Sequence, residues 1–346
     1  MTQEITTERP LVTFALFAYN QEKYIREAVE GAFSQTYEPL EIILSDDCST
    51  DRTYAIMKEM AAAYEGPHEV RVRRNIFNIG TALHVQMAFT ECHGQLLVVA
   101  AGDDISIGER VATLADAWIS EGCPEGIVHS GLERFRDGQT VGIVSAKQFS
   151  YSGRELDGYA EAYWLPAAAP TCAYSRGVFE KFPPLLGGSI IEDMPLMMRA
   201  ALIGRYISCN EPLVHQRLHG ESTGTGYDIK SPTRWNRFVL SKAIALRTMQ
   251  RDLASWDGEI DPKLRHVIEK RIVAGLRSTS RLLLPEAWPI GPLARIRLGL
   301  AISTAPLITR SFPVRVAVAL SFFGFDFHRR LKASLRSSLD RVRNTR

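Results

Sequence analysis

The sequence predicts an α/β protein, a mainly parallel sheet flanked by helices and followed by a helical, basic C-terminal region. Three observations predict it. Apolar runs of strand length alternate with segments of helical period through the first hundred residues, the pattern of successive βα units. The run Gln95–Ala101 is almost wholly apolar, as a strand covered on both faces is. From about residue 233 helical periodicity takes over and charge segregates: residues 293–346 hold 11 Lys/Arg against 2 Asp/Glu, net +9, leaving −7 for residues 1–292 of a chain whose total is +2.

Leu11–Tyr19 reads as the first strand. Tyr24, Ile25, Ala28, Val29, Ala32 and Phe33 share one helix face, and Leu40–Leu44 is a second strand closed by Asp46-Asp47. Thr50 or Asp51 caps a helix through about Tyr64, Val70–Arg73 is a third strand, and Thr81–Glu91 a third helix. The fourth strand, Gln95–Ala101, runs into Gly102-Asp103-Asp104; a helix to Ser120 and a strand near Ile127–Phe135 come next. The following stretch, with Pro166, Pro170, Pro183 and Pro184, reads as irregular apart from a helix from about Asp193 to Ile203. A boundary near residues 225–235 gives a first domain over 1–230, with halves at about 10–110 and about 111–225, and a helical region over 231–346.

Composition narrows the class. At 45% hydrophobic and 23% charged, the 346 residues are those of a globular chain rather than a disordered or fibrous one. The five cysteines are scattered and odd in number, fitting neither a zinc site nor a disulfide framework, so a reducing compartment is expected. Residues 1–10 are polar with no apolar h-region, and the apolar stretches 298–309 and 316–325 fall short of the roughly 20 residues of a spanning helix, so a cytoplasmic protein without a transmembrane anchor is expected.

In an open parallel sheet, ligands gather outside the carboxyl ends of the strands, and two acidic pairs fall there, Asp46-Asp47 and Asp103-Asp104. Such hard oxygen ligands suit Mn²⁺ or Mg²⁺, which would bridge a diphosphate. Neither a dinucleotide fingerprint nor a P-loop is present.

The ordered motifs Ala18-Tyr19-Asn20, Gln35-Thr36-Tyr37, Ser45-Asp46-Asp47-Cys48-Ser49, Asn78-Ile79-Gly80, Gly102-Asp103-Asp104, Glu192-Asp193 and Arg217-Leu218-His219 make residues 10–225 resemble family 2 glycosyltransferases of the GT-A fold. The resemblance implies an inverting enzyme that uses a nucleotide sugar. It implies that Asp47 contacts the base beside Ala18 and Tyr19, with Asn20, Asn78 and Gly80 also at the nucleotide sugar. Ala101 stands where the family's Asp-x-Asp motif has its first Asp, so Asp103 and Asp104 are expected to supply the ribose and metal contacts, His219 completing the metal site. The resemblance assigns the general base to Asp193, with Glu192 second. Local signals allow a structural role as well: Ser189 and Glu192 have capping-box spacing, and the helix dipole favours a charged carboxylate at Asp193.

The expected reaction moves a hexosyl or deoxyhexosyl group from a UDP-, dTDP- or GDP-linked donor to a glycan or lipid-linked acceptor in cell-surface polysaccharide synthesis. A nucleotidyltransferase would want a basic Gly-rich loop where the chain has Tyr19-Asn20-Gln21, and a non-catalytic nucleotide-sugar sensor has no need of a base at Asp193. Near the C-terminus, Phe327, Leu331, Leu335, Leu339 and Val342 oppose Arg329, Arg330, Lys332, Arg336, Arg341 and Arg343, the pattern of a helix lying on an anionic membrane surface. No nucleic-acid recognition motif accompanies these charges.

Overall fold

The computed structural model describes residues 9–146, 151–152, 169–219, 232–260 and 262–282. The basic segment expected over 293–346 lies outside them. Strand β1 (Val12–Ala18) is buried at every position. It runs parallel between β2 (Leu40–Asp46) and β4 (Leu96–Ala101), and β3 (Glu69–Arg74) adds to the far side of β2. Helices α1 (Ile25–Phe33), α2 (Thr53–Ala62) and α3 (Thr81–Phe89) make the crossovers, as the sequence periods predict. After β4 come β5 (Ile105–Ser106), α4 (Arg110–Ser120), β6 (Gly126–Arg136), β7 (Gln139–Val144) and β8 (Tyr151–Ser152). The chain then forms β9 (Cys172–Ser175), α5 (Gly177–Glu180), α6 (Asp193–Ile203), β10 (Arg205–Arg217), α7 (Pro232–Ser255) and α8 (Pro262–Leu282).

The sheet order is β3-β2-β1-β4-β9-β6-β10-β5, with β7 paired to β6 and β8 to β10. The short β9 is antiparallel to both β4 and β6 and joins the parallel half to the rest. Four strands, β7 to β10, thus occupy the stretch that reads as irregular. The four residues of β9 are too few to show a period, and β7 is largely exposed and interrupted by Gly142, with Val141 and Ile143 open to solvent. In β10 the register shifts on either side of Pro212, and a bulged strand loses the strict alternation by which a strand is recognised.

Alternate residues of the central strands feed two cores, one on each face. Phe14 and Leu16 of β1 meet Ile25, Val29, Met57, Val111 and Leu114 from α1, α2 and α4. Ala15 and Phe17 belong to the other core, with Val85 and Phe89 of α3, Leu196 of α6, and Leu246, Met249, Leu264 and Ile268 of α7 and α8. Helices α7 and α8 are therefore part of the same core as the sheet. Arg199 of α6 and Asp252 of α7, both fully buried, add an ion pair of 2.7 Å between the elements.

Candidate active site

The strands β1, β2 and β4 end at one edge, where Ala18 pairs with Asp46 and Phe17 with Ala101. A cavity of about 410 Å³ opens there. Of the residues singled out from the sequence, Ala18, Tyr19, Asn20, Asp47, Asn78, Gly80, Asp103, Glu192 and His219 line it, while Asp104 and Asp193 do not. Segments separated by up to two hundred residues are thus brought to one place, as expected for strand ends at a topological switch point.

Asp47 organises the wall nearest β2. Its Oδ1 accepts hydrogen bonds from Asn75 Nδ2 at 2.7 Å and the Ile79 N–H at 3.0 Å, and its Oδ2 accepts the Gly80 N–H at 2.9 Å. Gly80 has φ of +79°, a conformation costly for residues with a Cβ, so this position turns the loop onto Asp47 before α3 begins. Asn20, with φ of +54°, is held by its side-chain oxygen, which receives the Thr50 N–H at 2.8 Å. Asp46 is structural: fully buried, it accepts the Ser49 N–H at 2.9 Å and pairs with Arg74 at 3.1 Å.

Asp103 and Asp104 part company. Asp103 Oδ2 lies 3.0 Å from His219 Nε2, and the Tyr24 ring packs on the imidazole with centroids 4.6 Å apart. Asp104 is buried behind them, accepting the Arg217 N–H at 2.9 Å, and burial followed by the charge of Asp103 holds its carboxyl well above the usual range. The structure therefore brings His219 to Asp103 rather than to Asp104. A carboxylate oxygen and an imidazole nitrogen are ligands that Mn²⁺ accepts, and an octahedral ion takes its other positions from diphosphate oxygens and water. No group of three or more His, Cys, Asp and Glu able to hold a metal exists among the described residues, so the protein offers this pair. The pair fits a divalent ion that is completed by its ligand.

Glu192 and Asp193 begin α6. Glu192 faces the cavity and is buried. Burial, with the neighbouring Asp193 charge second, pushes its carboxyl up to about 8. Asp193 Oδ1 accepts the Met194 N–H at 2.8 Å, and burial also raises this carboxyl. The helix dipole expected to favour its charged form is outweighed by desolvation. The capping box does not form: Ser189 Oγ accepts the Ile191 N–H at 3.0 Å and donates to the Ser241 carbonyl at 3.0 Å, and the Glu192 side chain makes no cap.

Residues 13–182 match the family model described as Glycosyl transferase family 2. They form a family 2 glycosyltransferase domain. An uncharacterized protein of Mycobacterium tuberculosis is 41% identical over 88 residues, 25% of this chain and 25% of that protein. The putative teichuronic acid biosynthesis glycosyltransferase TuaG of Bacillus subtilis is 30% identical over 100 residues, 29% of this chain and 38% of TuaG. The chain thus spans well under two thirds of the length of these relatives. Among solved structures, S. aureus TarS 1-349 in complex with UDP-GlcNAc superposes with a TM-score of 0.58 at 18% identity, covering 90% of this chain and 89% of that one, which establishes the GT-A fold.

The family match stops at residue 182, so the glycosyltransferase domain receives Glu192, Asp193 and His219 from elements beyond it. Among the cavity residues that escape sequence reasoning are His84, Arg237 and Phe238. His84, on α3, is buried and edge-on to Phe17, and Ser45 Oγ lies 2.5 Å from its Nε2. Burial brings His84 down to about 4, so the ring is neutral; Ser45 Oγ, which its Nε2 meets, also accepts from Arg73 at 2.6 Å. A histidine amid the apolar residues of a helix was its one signal. Arg237 and Phe238 reach the cavity from α7, and no local motif marks them.

Proposed function

We propose that the chain is an inverting glycosyltransferase that transfers a hexosyl or deoxyhexosyl group from a nucleoside diphosphate sugar to a hydroxyl of a glycan or lipid-linked acceptor, in the assembly of a cell-surface polysaccharide. The observation that carries this reading is the single cavity in which Asp47, the Asp103–His219 pair and the acidic start of α6 meet. The roles named in TuaG and the sugar nucleotide held by TarS support it.

The donor lies along the strand ends, its base near Asp47 and its diphosphate at Asp103 and His219. A divalent cation on that pair would neutralise charge on the departing diphosphate. Asp104, by holding the Arg217 amide, fixes the end of β10 that delivers His219. At neutral pH Glu192, which lines the cavity, stays protonated and faces the substrate as a hydrogen-bond donor; Asp193, the next residue and off the lining, has one oxygen fixed by Met194 and takes the proton of the attacking hydroxyl with the other once the acceptor reaches the start of α6. Cys92 and Cys172 are pushed up to about 12 by burial, so neither supplies a thiolate nucleophile. One in-line displacement inverts the anomeric centre.

Calorimetric titration of UDP, dTDP and GDP with Mn²⁺ tests the reading. One nucleotide is expected to bind in a metal-dependent way. Asp103→Ala abolishes the metal dependence, whereas Asp104→Asn, which keeps an acceptor for the Arg217 amide, weakens it only a few fold. Equal wild-type affinity in EDTA rejects the cation role, and absence of nucleotide binding rejects the donor role.

A further inference from the structure

Among the described residues, Arg237 is the one lysine or arginine that lines the cavity, and no hydrogen bond or ion pair to its guanidinium is made there. It is exposed, so its charge meets solvent or a ligand. Its placement is built. Ser241, one helical turn further along α7 and hence on the same face, accepts the Ile190 N–H on its hydroxyl at 3.3 Å and the Ser189 hydroxyl on its carbonyl at 3.0 Å. This clamp holds the face bearing Arg237 against the loop that leads into Glu192 and Asp193, and Ile190 and Glu192 line the cavity with it.

The acidic side chains of the cavity are already engaged. Asp47 accepts three N–H donors and Asp103 is paired with His219, while burial keeps Glu192 protonated up to about 8. None of these carboxylates forms an ion pair with the guanidinium, which is left without a direct partner in the site. A planar guanidinium in that position recognises a phosphate group through paired, charge-assisted hydrogen bonds. Phe238 beside it gives an apolar surface of the kind on which a sugar ring rests.

We propose that Arg237 binds a phosphate group on the acceptor, making the enzyme selective for acceptors that carry one close to the attacking hydroxyl. The inference rests on the glycosyltransferase reading above, because it places the acceptor beside Asp193. The same chemistry is present in the donor diphosphate, and the experiment separates the two sources.

The full chain, wild type and with Arg237→Ala or Arg237→Lys, is titrated with UDP in the presence of Mn²⁺. The UDP–Mn²⁺ complex is then titrated with a hexose 1-phosphate and, separately, with the neutral methyl hexoside. Wild type is expected to bind the phosphorylated sugar at least about tenfold more tightly than the neutral one. Arg237→Ala removes that difference, Arg237→Lys keeps part of it, and all three proteins bind UDP with equal affinity. The proposal is overturned if Arg237→Ala retains the preference or if the wild-type complex binds no hexose 1-phosphate. Weakened UDP binding in Arg237→Ala with the preference intact also overturns it, and assigns the residue to the donor diphosphate. Failure of UDP to bind wild type is a separate result, which removes the donor reading itself.

Discussion

Glu192 and Asp193 are neighbours in sequence, share an apolar surrounding, and titrate as a pair. Burial raises both, but only Glu192 also feels its partner's charge as a main opposing influence, so Asp193 ionises first and Glu192 remains neutral to about 8. The two substitutions therefore have different consequences. Asp193→Asn is expected to lower turnover by about 10² to 10⁴ with donor affinity within a few fold, as loss of a general base does; more than a tenth of wild-type turnover returns Asp193 to a purely structural role. Glu192→Gln copies the shape and neutrality of the protonated acid and is expected to leave neutral-pH turnover within a few fold. Stability gives a second readout. A carboxyl raised from about 4.5 in the unfolded chain to about 8 in the folded one stabilises the fold below the lower value, and that stability is lost as pH rises through the upper one. Denaturant melts of Glu192→Gln should thus gain on wild type as pH climbs from 5 to 9; parallel stability curves would show that Glu192 is not held protonated.

The parallel strands and their crossover helices were legible from their patterns, and β4, wholly apolar, and β1, apolar but for Thr13, have the composition that burial on both faces demands. β9 and β10 were not: one is too short and the other is bulged at Pro212. The site divides along the same line. Asp47, Gly80 and Asp103 end or follow periodic strands and could be read locally, whereas the pairing of His219 with Asp103 depends on where β10 finishes, and Arg237 on how α7 seats. That seating is fixed by the buried pair Arg199–Asp252, where Asp252 also accepts from Arg251 at 2.9 Å and Arg199 donates to the Val178 carbonyl at 3.3 Å. Removing one partner strands a charge in the core. Asp252→Ala is expected to cost about 3–5 kcal/mol in urea unfolding, far more than the roughly 0–1 kcal/mol of an exposed pair such as Arg52–Glu59. A cost under about 1 kcal/mol would mean that the apolar contacts of Leu246, Met249 and Leu253 alone hold the helix.

At the scale of the molecule, charge is divided between residues 1–292, net −7, and the basic residues 293–346, net +9. No helix among the described residues is long and apolar enough to cross a membrane. If the acceptor is lipid-linked, as proposed, the enzyme has to meet it at a membrane surface, and a segment of net +9 interleaved with Phe and Leu supplies attraction of about 1 kcal/mol per basic residue near an anionic surface. The same charges could instead clamp onto the acidic remainder of the chain, net −7. Salt and truncation separate the two arrangements. An interfacial segment carries the full-length chain into the pellet with vesicles containing anionic lipid at low salt and releases it as the Debye length shortens from about 10 Å at 0.1 M to about 3 Å at 1 M. Removing residues after Pro292 is then expected to leave a folded protein in the supernatant, because the elements up to α8 already form two continuous cores among the described residues. A clamp ignores the vesicles and loses thermal stability on the same truncation. We expect the first outcome, and full-length chain that never pellets with anionic vesicles would refute the membrane role.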